Sequence, residues 1–239
     1  MEGHVSGTVR RRLGCVVSVF NVGRREFDLT CGNPFERLAI AREGQDATRR
    51  LPFSRDELQR IGAACHEKDD DMRWAVAILI ASGARLGEVI GLRRADVCLD
   101  HEVPHIQIRP YEALGRHLKT RGSERLCPLL PLGLWASRQP LAAGNGGSGW
   151  LFGRYAADGD IRAAQASNAI NKWIRKLGIP RTIHSARHSM KDALRNSGCS
   201  EELAKSLLGH GSRSVADSYG TGFSLQRLAE ALERTVLTG

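Results

Sequence analysis

Between Trp74 and Ala81 the sequence W-A-V-A-I-L-I-A is apolar on nearly every side of a helical projection. A helix of that kind has no face to give to water, so it must be a core helix. Asp69 to Asp71 open it and Gly83 ends it. The chain has 239 residues and is 41% hydrophobic, enough for a sizeable core in one large domain or one domain plus a fragment. No apolar run approaches the roughly 18 residues of a membrane span. The first residues, M-E-G-H-V-S-G, lack the apolar stretch of a signal peptide. The six cysteines (15, 31, 65, 98, 127 and 199) contain no C-x-x-C. They read as reduced core residues of a cytoplasmic protein with no membrane partner.

Around that helix the elements follow in order. Residues 8–23 form a basic amphipathic helix with Leu13, Val16, Val17 and Phe20 as its stripe. One helix cannot bury its own face, so it packs on the rest of the chain, packs on a partner, or is the stub of a domain. Residues 40–52 are polar and aperiodic and read as a linker. Ser54 and Glu57 fit a capping box that opens a helix to about His66. After Gly83, Arg85 and Glu88 stand at i, i+3. Such a pair is ordinarily a surface pair, but this one lies between two apolar helices. Residues 95–130 change to short alternating segments, the pattern of a small antiparallel sheet with hairpins. Lys119 falls at a hairpin tip, where a lysine is ordinarily just solvated. Residues 131–149 are helical and then glycine-rich. Residues 162–177 are an amphipathic helix whose polar face holds Lys172, Arg175 and Lys176. That face is a candidate for phosphate contact or a plain solvated surface. Leu225, Leu228, Ala229, Leu232 and Val236 give a last amphipathic helix, docked on its own core or on a neighbouring protomer. The class is mainly α with one small antiparallel sheet, α+β.

The stretch 182–220 carries the chemistry. A helix runs from His184 to Asn196, stopped by Gly198. Ser200 caps a second helix, with Leu203, Leu207 and Leu208 as its stripe. Glycines 209 and 211 place His210 in a tight turn, and a third helix carries Tyr219. Two imidazoles, a guanidinium and a phenol gathered without a thiol or carboxylate suit attack of tyrosine on a phosphodiester. The net charge of +9 suggests a polyanionic partner, most commonly nucleic acid.

Taken together, four segments resemble the boxes of the tyrosine recombinases, the phage-integrase family. They are S-G-A-R-L-G-E-V-I-G-L, K-T-R-G-S-E-R-L-C-P-L, H-S-A-R-H-S and L-L-G-H-G-S-R-S-V-A-D-S-Y-G. The resemblance covers about residues 50–239 and departs at Ser185-Ala186, where Asp-Leu is frequent. It implies a site-specific enzyme of a mobile element that cuts and rejoins double-stranded DNA through a 3′-phosphotyrosyl intermediate. Its active form would be a tetramer on paired sites, working without metal or other cofactor. It also implies roles: Tyr219 as nucleophile, Arg85 and Arg187 as phosphate clamps, and His184 and Lys119 in proton transfer. His210 would bond the phosphate and Glu88 would support Arg85. Residues 53–239 would be the catalytic domain, and 1–39 the last helix of a DNA-clamping core-binding domain joined through 40–52.

Three other readings stand beside it. One is a type IB topoisomerase-like or telomere-resolving enzyme, for which the chain is short. Another is a truncated, inactive remnant with residual DNA binding. The third is a metallohydrolase using His184 and His188, which lacks a third ligand. A core or capping role suits His188 better.

Overall fold

A computed structural model describes residues 5–46, 51–111, 118, 123–144, 149–157, 159–210 and 222–235. The molecule divides into two compact units, Met1–Arg50 and Leu51–Gly239. In the first, helix α1 (Ser6–Glu26) is accompanied by the segment that returns along it. Phe20 meets Phe35 edge-on at 5.8 Å, and Asn33 donates to the carbonyl of Val17 at 3.1 Å. Arg10 Nε donates to Glu43 Oε1 at 2.6 Å. Of the expected stripe, Leu13, Val17 and Phe20 are half-buried, whereas Val16 is exposed.

The second unit is built on helix α3 (Asp71–Ser82), which is buried from Trp74 to Ser82 as an all-round apolar helix must be. Asp70 caps its start by accepting the N–H of Arg73 at 3.1 Å. Gly83 ends it at φ +63°, and a Cβ there would stand 2.7 Å from Met190. Only glycine meets both demands. Helix α2 (Arg55–Lys68) opens on the expected capping box. Ser54 Oγ accepts from Glu57 N–H at 3.2 Å, and Glu57 Oε2 accepts from Ser54 N–H at 2.8 Å. Helix α5 (Pro131–Ala143) lies so close to α3 that a Cβ on Gly133 would come within 3.2 Å of Ala81.

After the short helix α4 (Leu86–Ile90), strands β1 (Val97–Cys98), β2 (His105–Ile108) and β3 (Arg125–Pro128) form an antiparallel sheet in chain order, with Ile106 opposite Cys127. A second pair, β4 (Ala156–Ala157) and β5 (Asp160–Ile161), precedes helix α6 (Ala163–Lys176). Helices α7 (Ser185–Asn196), α8 (Glu201–Leu208) and α9 (Leu225–Glu233) complete the unit. Met190, Leu194, Leu203, Leu207, Leu228 and Leu232 share a second core with Leu130. The last helix therefore docks on its own chain.

The architecture is the mainly α, small-sheet class expected. The cysteines depart from expectation. Cys65 and Cys127 are buried, but Cys15 and Cys31 are exposed. His188 is exposed too, rather than in the core, because it lies on the outer face of α7 opposite Met190 and Leu194.

Candidate active site

Arg85 stands just before α4, where the chain leaves the core helix. Its Nη1 donates to Glu88 Oε1 at 2.6 Å and to Ser123 Oγ at 3.1 Å, and its Nη2 to the carbonyl of Gly209 at 3.1 Å. The Glu88 side chain is only 6% exposed and that of Arg85 25%, so the two are a partly buried pair and not the surface pair that i, i+3 charges usually make. Glu88 Oε2 accepts from the Arg85 N–H at 2.9 Å and from Arg125 Nη2 at 2.8 Å. Both carboxylate oxygens are thus engaged by guanidinium groups.

Arg125 was not among the expected site residues. All three of its guanidinium nitrogens are used: Nη2 on Glu88, Nε on the Leu207 carbonyl at 2.9 Å, and Nη1 on the Ser123 carbonyl at 2.8 Å. The strand R-L-C-P holds the signal. Arg125 and Cys127 share the inward face, while Leu126 is 39% exposed. A charge inside with a leucine outside inverts the usual alternation of a half-buried strand.

Arg187 comes from the first turn of α7. Its Nη1 donates to the Gly83 carbonyl at 3.0 Å and its Nη2 to the Leu208 carbonyl. The carbonyls at the end of α8 (Leu207 and Leu208) and of its capping Gly209 thus accept from Arg125, Arg187 and Arg85 in turn. A helix C-terminus presents orphan carbonyls and partial negative charge, which is what allows three cations to gather there. Gly209 makes the approach possible. Its φ is +60°, and a Cβ would come within 2.4 Å of Arg125 Nη1. The next residue, His210, is fixed by its N–H to the Lys205 carbonyl at 3.0 Å.

The electrostatics follow from this crowding. Burial, with Arg85 and Arg125 nearby, lowers the pKa of Arg187 to about 10, so it stays protonated at neutral pH. Burial first, then Arg187 and Arg85, pulls His210 down to about 4, so its ring is neutral. Burial opposes ionisation of Glu88, but the bonds and charge of Arg125 and Arg85 outweigh it and hold the carboxyl below its ordinary value. The Nε–H of Arg85, one N–H on its Nη2, and the Nε–H of Arg187 take no part in these bonds. Among the described residues they have no acceptor, and as donors they suit an anion.

His184 is the exposed residue before α7, one turn ahead of Arg187. The loop leading to it is set by Asn171, whose Oδ1 accepts the Ile183 N–H at 2.8 Å. On the same helix Lys172, Arg175 and Lys176 are exposed. Ser185, at the departure from the family pattern, donates to the Leu51 carbonyl at 2.8 Å, and Ser189 accepts the Phe53 N–H at 2.8 Å. Those two serines pin the entry of the unit to α7. Lys119, the hairpin tip and Tyr219 with its expected helix lie outside the described residues. Among the described residues no three His, Cys, Asp or Glu side chains gather as metal ligands. None of the described helices is long and apolar enough to cross a membrane.

The fold is similar to solved recombinases. The Tn1549 transposon integrase, in complex with transposon right end DNA, matches with a TM-score of 0.66 at 17% identity, over 98% of this chain and 81% of that one. The XerA recombinase matches with a TM-score of 0.54 at 20% identity, over 92% and 74%. A lambda integrase tetramer bound to a Holliday junction matches with a TM-score of 0.59 at 17% identity, over 86% and 57%. No curated protein matches the chain in sequence. The model of the phage integrase family matches residues 52–222, well over half the chain and a span that holds every one of the expected catalytic positions from Arg85 to Tyr219. The chain belongs to the phage integrase family.

Proposed function

We propose that the protein is a site-specific DNA recombinase that cuts and rejoins double-stranded DNA, with Tyr219 as nucleophile. The observation that carries the reading is the fixing of Arg85 and Arg187 on one helix end beside a neutral His210. Two guanidiniums bond phosphate oxygens in a way lysine cannot, and they stabilise the charge that builds in the transition state. His210, being neutral, adds a donor to the phosphate without adding charge.

The step is a transesterification. The Tyr219 oxygen attacks phosphorus, forms the 3′-phosphotyrosyl bond and releases the 5′ oxygen, which takes a proton. A tyrosine with a pKa of about 10 is ionised in about one molecule per thousand at pH 7, a deficit of about 4 kcal/mol. His184 is the candidate base and Lys119 the candidate acid for the leaving oxygen, an acid contributing on the order of 10²–10⁴-fold. The covalent link keeps the energy of the broken bond, and a second 5′ hydroxyl reverses the step to rejoin strands.

On this reading residues 53–239 are the catalytic domain, 40–52 a linker, and 1–39 hold one helix of a core-binding domain. Lys172, Arg175 and Lys176 contact the DNA backbone. The Tn1549 and lambda enzymes are seen on DNA, the latter as a tetramer. A tetramer on paired sites of a mobile element, in the cytoplasm, is the corresponding assembly here. An inactive remnant is not favoured, because the family match spans the whole catalytic set. The test is covalent trapping. Mixed with nicked duplexes from the junctions of its own element and denatured, the protein yields a protein–DNA adduct that Tyr219→Phe does not. An adduct that survives the substitution removes Tyr219 from the role.

A further inference from the structure

We propose that Arg125 is a positioning residue of the cleavage reaction: it holds Glu88 from one side and the end of α8 from the other, and so sets Arg85 against the His210 turn. The inference rests on the reading of Arg85 as a phosphate clamp.

Arg125 touches no open surface; its side chain is 5% exposed. Burying a guanidinium is costly, and an apolar residue of similar volume at such a position is often as stable or more so. Its neighbours on the inward face of the strand are apolar or weakly polar, so packing alone has no use for a charge there. What the guanidinium does is join three separate pieces of chain. It reaches α4 through Glu88, the turn just before β3 through the Ser123 carbonyl, and the end of α8 through the Leu207 carbonyl. Those same pieces hold Arg85, which bonds Glu88, the Ser123 hydroxyl and the Gly209 carbonyl. The two arginines therefore lie on opposite sides of one shared frame. A planar fork reaches the three pieces from three separate nitrogens with fixed donor directions, where an ammonium has a single nitrogen to do so.

Sharing Glu88 has a chemical consequence. With Oε2 drawn toward Arg125, the Arg85 guanidinium is held through Oε1 and keeps donors for an incoming phosphate. Without Arg125, both carboxylate oxygens are left to Arg85. A two-bond pair of that kind draws the guanidinium back and cancels its charge.

The experiment measures single-turnover cleavage of a nicked duplex at saturating concentration, with active sites titrated and DNA affinity measured alongside. The proteins compared are the wild type, Arg125→Lys, Arg125→Met and the double variant Arg125→Met/Glu88→Gln. Arg125→Met is expected to cleave about 10–100-fold more slowly, the cost of a clamp displaced by about an ångström, with affinity within about twofold. Arg125→Lys is expected to fall between the two. Adding Glu88→Gln to Arg125→Met is expected to restore part of the rate, because it releases Arg85; a merely structural role predicts a further loss. Cleavage by Arg125→Met at the wild-type rate overturns the proposal, as does an affinity that falls in step with the rate or a double variant slower than the single. If Arg125→Met does not fold, Arg125→Lys decides: slower cleavage at unchanged affinity supports the proposal, and wild-type cleavage overturns it. Absence of cleavage by the wild type strikes the recombinase reading instead.

Discussion

Glu88 holds two guanidiniums, and its removal exposes what it offsets. Glu88→Ala leaves Arg125 charged, buried and short of its counter-ion, beside an Arg85 that has lost the same partner. Breaking a buried pair by deleting one member costs about 3–5 kcal/mol. Urea unfolding of Glu88→Ala is expected to show that loss as a lower midpoint with an unchanged slope. A loss under about 1 kcal/mol, the range of an exposed pair, contradicts the buried arrangement. His210 gives a test by pH. Its ring takes a proton at about 4 in the folded protein against an ordinary 6.5. Between those values the unfolded chain binds more protons, so this group makes stability rise with pH and fall away as pH drops from 6.5 toward 4. An NMR titration of the imidazole is expected to give a midpoint near 4 that moves upward in Arg85→Ala. A midpoint near 6.5 contradicts the partial burial of His210 in the field of the arginines.

At the scale of elements, the end of α8 is the organising feature, and α9 keeps it in place. Leu228, Ala231 and Leu232 share one buried cluster with Leu203, Leu207 and Leu208. Leu232→Ala is expected to cost about 2–5 kcal/mol, the range for truncating a fully buried leucine. The loss should be independent of protein concentration, since the contact lies within one chain. Stability that falls on dilution would point to docking on a neighbour instead. The capped elements were the legible ones. Ser54 with Glu57, Ser200, and the all-round apolar run Trp74–Ala81 each announce a helix by local chemistry, and each is present. Arg85, Glu88 and Arg187 were legible because their spacing to Gly83 and to the H-x-x-R box is local as well. Arg125, Asn171 and Ser185 act through partners 37, 12 and 134 residues away. Nothing in a local pattern reports a bond of that span. Only the inverted polarity of R-L-C-P marked Arg125.

For the whole molecule, a core helix carries Gly83 at its end, and three arginines, from the entry to α4, from β3 and from α7, converge on the end of α8. The result is a cationic, partly water-excluded corner made by long-range packing. Such a corner suits a phosphodiester in transition more than one at rest. The account stands on Tyr219 being the residue that meets that phosphate. The direct measurement is mass spectrometry of the trapped adduct after digestion of the protein and trimming of the DNA. The account predicts one modified peptide, containing Tyr219, with the nucleotide attached through its 3′ phosphate. A nucleotide on any other residue, or one attached through a 5′ phosphate, would contradict it.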